Sequence, residues 1–222
     1  MIVLAIDTST RWAGVGLLGS GGAIYERSWR SEQNHGRALL PAVDSVFHEA
    51  GVVPGDVTHI GVAIGPGGFS AVRVGISAAI GLAMPRDIPL AGISTHAVEA
   101  EPHLPRSSHD RPLYSMLPAG RGELAWARFE GSAGAVDIGV SSPHDFASSA
   151  PPDLLVCGES AEELVRYLPA TCFIGGAPPT RSPGTLIRLA VSAIESGDVV
   201  TGAVLKPIYA RPPSISKPRP PA

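Results

Sequence analysis

A chain of 222 residues with 44% hydrophobic residues, two cysteines and a formal charge of −3 can bury a core without disulfide support. The small negative charge excludes a global positive field for nucleic acid, so RNA would have to be held mainly by a partner. No stretch approaches the roughly 18 apolar residues of a membrane-spanning helix, and "MIVLAIDTST" lacks the basic start of a secretory signal, so a soluble cytoplasmic protein is expected.

"IVLAID" (2–7), "AGVGLL" (13–18) and "AIYERSW" (23–29) read as three meandering strands, the last two joined by "GSGG". Leu39, Leu40, Val43, Val46, Phe47 and Ala50 then follow helical spacing, and Gly51 stands where a helix ends. "HIGVAIG" (59–65) predicts a fully buried strand, followed by a glycine loop, a helix from Ser70 to Met84 and a further buried strand, "IPLAGIS" (88–94). This order suits an α/β layer with an antiparallel edge and a parallel interior.

"EPHLPRSSHDRP" (101–112) marks a boundary rich in proline and charge. Beyond it, strands are expected at 113–118, 124–130, 154–157 and 171–175, and helices near 160–167 and 184–196. The chain thus divides into a domain over 1–105, a smaller one over 106–211, and a Pro-rich tail, 212–222, expected to be disordered. Cys157 and Cys172 are too far apart for a CxxC site and read as two buried thiols.

The loop "GPGGFSA" lies where a phosphate could meet a helix start, but it lacks the Lys-Ser/Thr of a P-loop and has Ser70 at the last glycine position of GxGxxG. Its plainer reading is a tight turn capped by Ser70. Arg73 falls in the first turn, where the helix dipole disfavours a cation by about 0.3–1 kcal/mol, so an acid or anionic ligand is expected beside it. Gly75, Ala79 and Ala83, with Ala78 and Gly81, form a small-residue surface. It fits close packing on the helix's own sheet or against a partner helix. The histidines, at 35, 48, 59, 96, 103, 109 and 144, contain no pair four apart, so HExxH and HxxxH are absent. No serine stands in GxSxG. Asp7 is the best-placed acid, either capping the "DTST" turn or orienting a phosphate or a metal-bound water.

"LAIDTST", "NHGRALLP", "IGPGGFSAVRVGIS", "IPLAGIS" and "IYARPP" together resemble the TsaB (YeaZ) family of bacterial tRNA threonylcarbamoyladenosine biosynthesis, over nearly the whole chain. The family's GPGSFTGLRIG keeps here Gly65, Pro66, Gly67, Phe69, Arg73 and Gly75. The resemblance implies an actin-like, sugar-kinase-like fold of two ribonuclease-H-type domains with mixed sheets. It also implies a non-catalytic scaffold that pairs with TsaD, the catalytic subunit, is joined by the ATPase TsaE, and meets tRNA through the complex; a homodimer is one form allowed in isolation. No firmly bound cofactor or metal is implied, with ATP or ADP allowed at the partner interface.

On this resemblance Asp7, Thr8, Ser9, Gly65, Pro66, Gly67, Gly68 and Ser70 form a degenerate phosphate loop. Leu39, Leu40 and Val43 of the first helix join Ala78, Ala79 and Ala83 of the second in one apolar patch, with His35, Phe69, Arg73 and Gly75 alongside. Two departures stand out. The family's His-Ser-Glu is here His35-Gly36-Arg37, and its DARRGEVY is "PAGRGELA" (118–125). The alternative class is an enzyme: a small phosphotransferase or nucleotide hydrolase using Asp7 and the loop, or an inactive homologue of an M22-type peptidase. Direct tRNA contact is not expected from the charge, with a local basic patch of Arg106, Arg111 and Arg121 left open.

Overall fold

The computed structural model describes residues 1–31, 35–131, 134–176, 178–201 and 205–211. The first sheet has the order β3-β2-β1-β4-β5, built from β1 (Val3–Asp7), β2 (Trp12–Leu18), β3 (Ile24–Arg30), β4 (His59–Ala63) and β5 (Leu90–Ile93). The three meandering strands are antiparallel, and β4 and β5 run parallel to β1. This is the mixed arrangement expected from the element order.

The alternation of strand side chains sets the layers. Leu4 and Ile6 of β1, Val15 and Leu17 of β2, and Ile60 and Val62 of β4 share one core with α1 (His35–Ala50) and α2 (Phe69–Ala83). Val3, Ala5 and Ala63 face the other way, onto α5 (Pro183–Glu195). That second face is lined with small residues, so α5 comes close: a Cβ on Gly61 would lie 2.5 Å from the Ala190 Cβ. Ser182 caps α5 by accepting from the Thr185 amide, 3.1 Å away, and Pro183 takes the first helical position, where no amide is needed.

The domain division needs correcting here. The last helix, assigned to the 106–211 unit, packs on the first sheet, and the chain after it stays there, with Val200 and Leu90 exchanging backbone hydrogen bonds of 2.8 and 2.9 Å. Ile208 then donates to the Ile64 carbonyl at 2.7 Å. The expected tail, 212–222, lies outside the described residues.

The second sheet, β8-β7-β6-β9, comprises β6 (Leu113–Gly120), β7 (Glu123–Phe129), β8 (Asp137–Ser141) and β9 (Leu155–Cys157). α4 (Pro143–Ser149) covers one face through Phe146, and α3 (Thr95–Ala100) lies against the other. α3 joins the two halves: Val98 belongs to a first-sheet core, Ala100 to the second. The strand expected at 171–175 is a 3-10 turn, Ala170–Cys172, with a single bridge from Phe173 to Val156, and the helix near 160–167 is a short 3-10 turn, Ala161–Leu164. Cys157 and Cys172 are free and buried.

Candidate functional site

Asp7 ends β1 at the join of the two sheets, and both its oxygens are occupied. Oδ1 accepts from the Ser9 amide at 2.8 Å and the Ser9 hydroxyl at 2.6 Å, while Oδ2 accepts from Arg181 Nε at 3.0 Å. Arg181 also reaches Glu99 Oε2 of α3 at 3.3 Å, Glu159 Oε2 at 3.9 Å, the Trp12 carbonyl at 3.0 Å and the Thr10 hydroxyl. All four charged side chains are at most 8% exposed. Burial works against the charge on Arg181, but the three carboxylates outweigh it and hold its pKa above the ordinary value. The remaining Glu99 oxygen accepts from the Thr180 amide at 3.0 Å and its hydroxyl at 2.7 Å.

Glu159 is the strained member. Burial raises its pKa against the pull of Arg181, the Thr10 hydroxyl and Arg11, and its Oε1 has no partner. Nearby His96 bonds the Ser115 hydroxyl through Nδ1 at 3.0 Å; burial and Arg181 together push its pKa down to about 3, so it is neutral. Sequence reasoning found Asp7 but not Arg181, which stands in a proline-rich loop 174 positions away. Its only sequence signal was an arginine without a local acid.

The glycine loop is tied back rather than open. The Gly68 amide donates to the Ser9 carbonyl at 2.8 Å, and the Thr8 hydroxyl donates to the Ala71 carbonyl at 2.6 Å. The Gly65–Pro66 bond is cis, and the Gly65 carbonyl accepts from the Thr95 amide at 2.8 Å. Ser70 does not cap the helix: the N-cap is Gly68, without a side-chain hydrogen bond, and Ser70 lies exposed in the first turn.

The apolar patch expected on α1 and α2 is also corrected. Leu39, Val43, Ala79 and Ala83 are 4% exposed or less and belong to the chain's own core, because the stripe that repeats at helical spacing is the one that faces the sheet. Gly75 is buried too, where a Cβ would stand 2.7 Å from the Thr8 hydroxyl, and Ala78 is half-buried. Of the expected patch Leu40 is exposed, at 57%, and Phe69 and Arg73 beside it are also exposed. The outward stripe of α2 is Ser70, Arg73, Ser77, Gly81 and Met84. Among the described residues Arg73 has no acid beside it: its guanidinium lies 3.9 Å from the Phe69 ring centroid and donates to the Tyr209 hydroxyl at 2.7 Å. Phe69 and Tyr209 stack with centroids 5.0 Å apart.

A cleft of about 960 Å³ separates the glycine loop from the β6–β7 hairpin. His35, the first residue of α1, lines it; burial lowers its pKa, with Asp7 partly offsetting, and its Nδ1 lacks a partner among the described residues. The basic patch does not form: Arg111 precedes β6 and Arg121 follows it, roughly 25 Å apart along the strand. Arg111 is paired with Asp153 at 2.9 Å. Among the described residues no three His, Cys, Asp or Glu side chains cluster to hold a metal. No helix among them is long and apolar enough to cross a membrane.

Residues 29–150, more than half of the chain, match the family of TsaD, tRNA N6-adenosine threonylcarbamoyltransferase. The chain is 38% identical over 95 residues to the tRNA threonylcarbamoyladenosine biosynthesis protein TsaB of Bacillus subtilis (strain 168), covering 43% of this chain and 42% of that one. The Escherichia coli (strain K12) protein of the same name is 33% identical over 130 residues, 59% of this chain and 55% of its own length. The chain belongs to this family, on its TsaB (YeaZ) branch. The matched stretches span about half the length of these curated relatives. In structure, YeaZ from Pseudomonas aeruginosa superposes with a TM-score of 0.76 at 26% identity over 94% of this chain and 99% of that one. The fold is the actin-like, sugar-kinase-like one.

Proposed function

We propose that the chain is a non-catalytic partner subunit in the formation of threonylcarbamoyladenosine on tRNA, pairing with TsaD and offering TsaE a surface to join. The observation that carries this reading is the state of Asp7: the carboxylate at the head of the fold's central strand is buried and already engaged, Oδ1 with Ser9 and Oδ2 with Arg181, pairings that compete with a phosphate or a metal-bound water. The glycine loop beside it, bonded to Ser9, is equally engaged. The phosphotransferase reading therefore loses its reacting group.

Pairing uses the outward faces of α1 and α2, with Leu40, Phe69, Arg73 and Met84 as the contacts; Met84 is 68% exposed. Aromatic, Met and Arg side chains are the types enriched at interface centres. In isolation two copies cover the same face. ATP or ADP, where present, sits between subunits, and tRNA meets the assembly mainly through the partner.

The test is reconstituted threonylcarbamoyl transfer to tRNA with TsaD, TsaE and the adenylate-forming enzyme, with and without this chain, together with Leu40→Arg. Dependence on the chain, with loss of TsaD binding and transfer in a normally folded Leu40→Arg protein, is expected. Transfer that proceeds without the chain, or nucleotide hydrolysis by the chain alone, overturns the reading.

A further inference from the structure

We propose that the pairing face is built around one fixed cation: Arg73 receives a carboxylate of the partner subunit in a two-pronged hydrogen-bonded pair, and Tyr209 of the C-terminal segment positions it. The inference rests on the pairing proposed above and names what the partner must bring. Arg73 is exposed in the first turn of α2, on the outward stripe it shares with Ser70, Ser77, Gly81 and Met84. Its Nε donates to the Tyr209 hydroxyl at 2.7 Å. Among the described residues it makes no ion pair, and its two terminal nitrogens donate to nothing.

The guanidinium is held on two sides. Its carbon lies 3.9 Å from the centre of the Phe69 ring and 5.8 Å from that of Tyr209, and the two rings stack at 5.0 Å. A guanidinium over a ring face keeps its edges free for hydrogen bonds in its own plane. With Nε taken, the remaining edge is the one formed by the two terminal nitrogens, which matches the two oxygens of a carboxylate. Tyr209 is itself anchored. The chain before it lies at the ends of β4 and β5: Leu205 fills the space over Gly92, where a Cβ would stand 2.8 Å from it, and the Ile208 amide donates to the Ile64 carbonyl at 2.7 Å. Two residues further on, Arg211 pairs with Glu123 of β7 at 2.5 Å. A long side chain fixed in this way loses less freedom on binding than a mobile one.

The surroundings decide the kind of partner. Leu40 on α1 and Met84 after α2 are exposed apolar side chains beside this cation, so the surface suits a protein. A nucleic-acid strand would need a track of cations, and the outward stripe of α2 carries one. Once water is excluded, an unpaired guanidinium opposes pairing, whereas a paired one selects the partner. The matching surface is therefore apolar, with one Asp or Glu placed over the first turn of α2.

Calorimetric titration of the full chain with purified TsaD of the same organism, at low and at high salt, tests the inference. Arg73→Gln is expected to weaken pairing by about thirtyfold and to flatten its salt dependence. Tyr209→Phe keeps the ring stack and removes the hydroxyl; it should weaken pairing about fivefold while the thermal melt stays unchanged. Arg73→Glu should abolish pairing, and changing one Asp or Glu of TsaD to Arg should restore it. A loss that no such change restores overturns the inference. So does pairing that Leu40→Arg abolishes but Arg73→Gln and Tyr209→Phe leave intact, an outcome under which the pairing reading itself stands. Self-association weakened by Arg73→Gln with TsaD pairing untouched also overturns it, in favour of a second copy of the chain. Absence of pairing by the unaltered chain instead overturns the reading on which the inference rests.

Discussion

Arginine stands twice at the join of the two sheets, in opposite company. At the base, Arg181 is buried among Asp7, Glu99 and Glu159, and each of its nitrogens has a partner inside the chain. In the cleft, Arg11 and Arg121 face solvent, and no Asp or Glu lines it among the described residues. The charge at the base is fully desolvated, so it is expensive to disturb and inert toward ligands. The charge in the cleft is solvated, so it costs little to alter. Burial, not residue type, decides which arginine holds the fold and which is available to function.

The comparison breaks most severely at Arg181. Arg181→Met leaves Asp7 and Glu99 buried without their counter-charge, and a loss of about 3–5 kcal/mol in denaturant unfolding is expected; Arg121→Asn should change stability by less than about 0.5 kcal/mol. Equal effects at the two sites would dissolve the distinction.

His96, in the same buried region, gives the comparison a pH axis. Its folded pKa of about 3 lies below the unfolded value of 6.5, so the unfolded chain binds the extra proton as pH falls. Stability should therefore be intact above 6.5 and fall by as much as about 4 kcal/mol as pH drops toward 3. Replacing His96 with Asn should flatten that part of the stability curve measured across pH.

Gly75→Leu is expected to destabilise the fold itself by about 1–3 kcal/mol, because the new side chain enters the contact between α2 and Thr8. A thermal melt of the purified variant reads this directly; an unchanged melt with lost pairing would return Gly75 to the partner surface. The smallest effect belongs to Glu159. Its folded pKa is raised, so the folded state gains stability as pH falls through that pKa and loses it as pH rises. Glu159→Gln should therefore stabilise the fold more at pH 8 than near the ordinary carboxylate pKa, with the Thr10 hydroxyl still bonded, as read from unfolding curves at the two pH values.

Much of the first sheet was legible because its strands and helices carry their own periodicity: β1 to β5, α1, α2 and α5 fall close to where the apolar pattern puts them. α3 was not, since "THAVEA" is a single short stretch buried between the sheets, where its polar residues Thr95, His96 and Glu99 mark no solvent face. β8 is an edge strand exposed in its first two residues, with no buried face to set an alternation. At the site, Asp7 could be singled out by its place at a strand end, but not its partner, because pairing across 174 positions leaves no local trace. Leu39 and Leu40 are neighbours in sequence and of one type, yet one is 1% and the other 57% exposed. Periodicity marks a helix's apolar stripe without saying whether its own sheet or another protein covers it.

The return of α5 to the first sheet also constrains how the protein is made. On the ribosome β1, β4 and β5 emerge early, but the helix that covers their second face is encoded by Pro183–Glu195. Through most of translation that small-residue surface lacks its main cover, with α3 touching it through Val98, and the fold closes only as synthesis nears its end. A nascent chain stalled before residue 183 would therefore remain a client of chaperones, however complete its N-terminal strands.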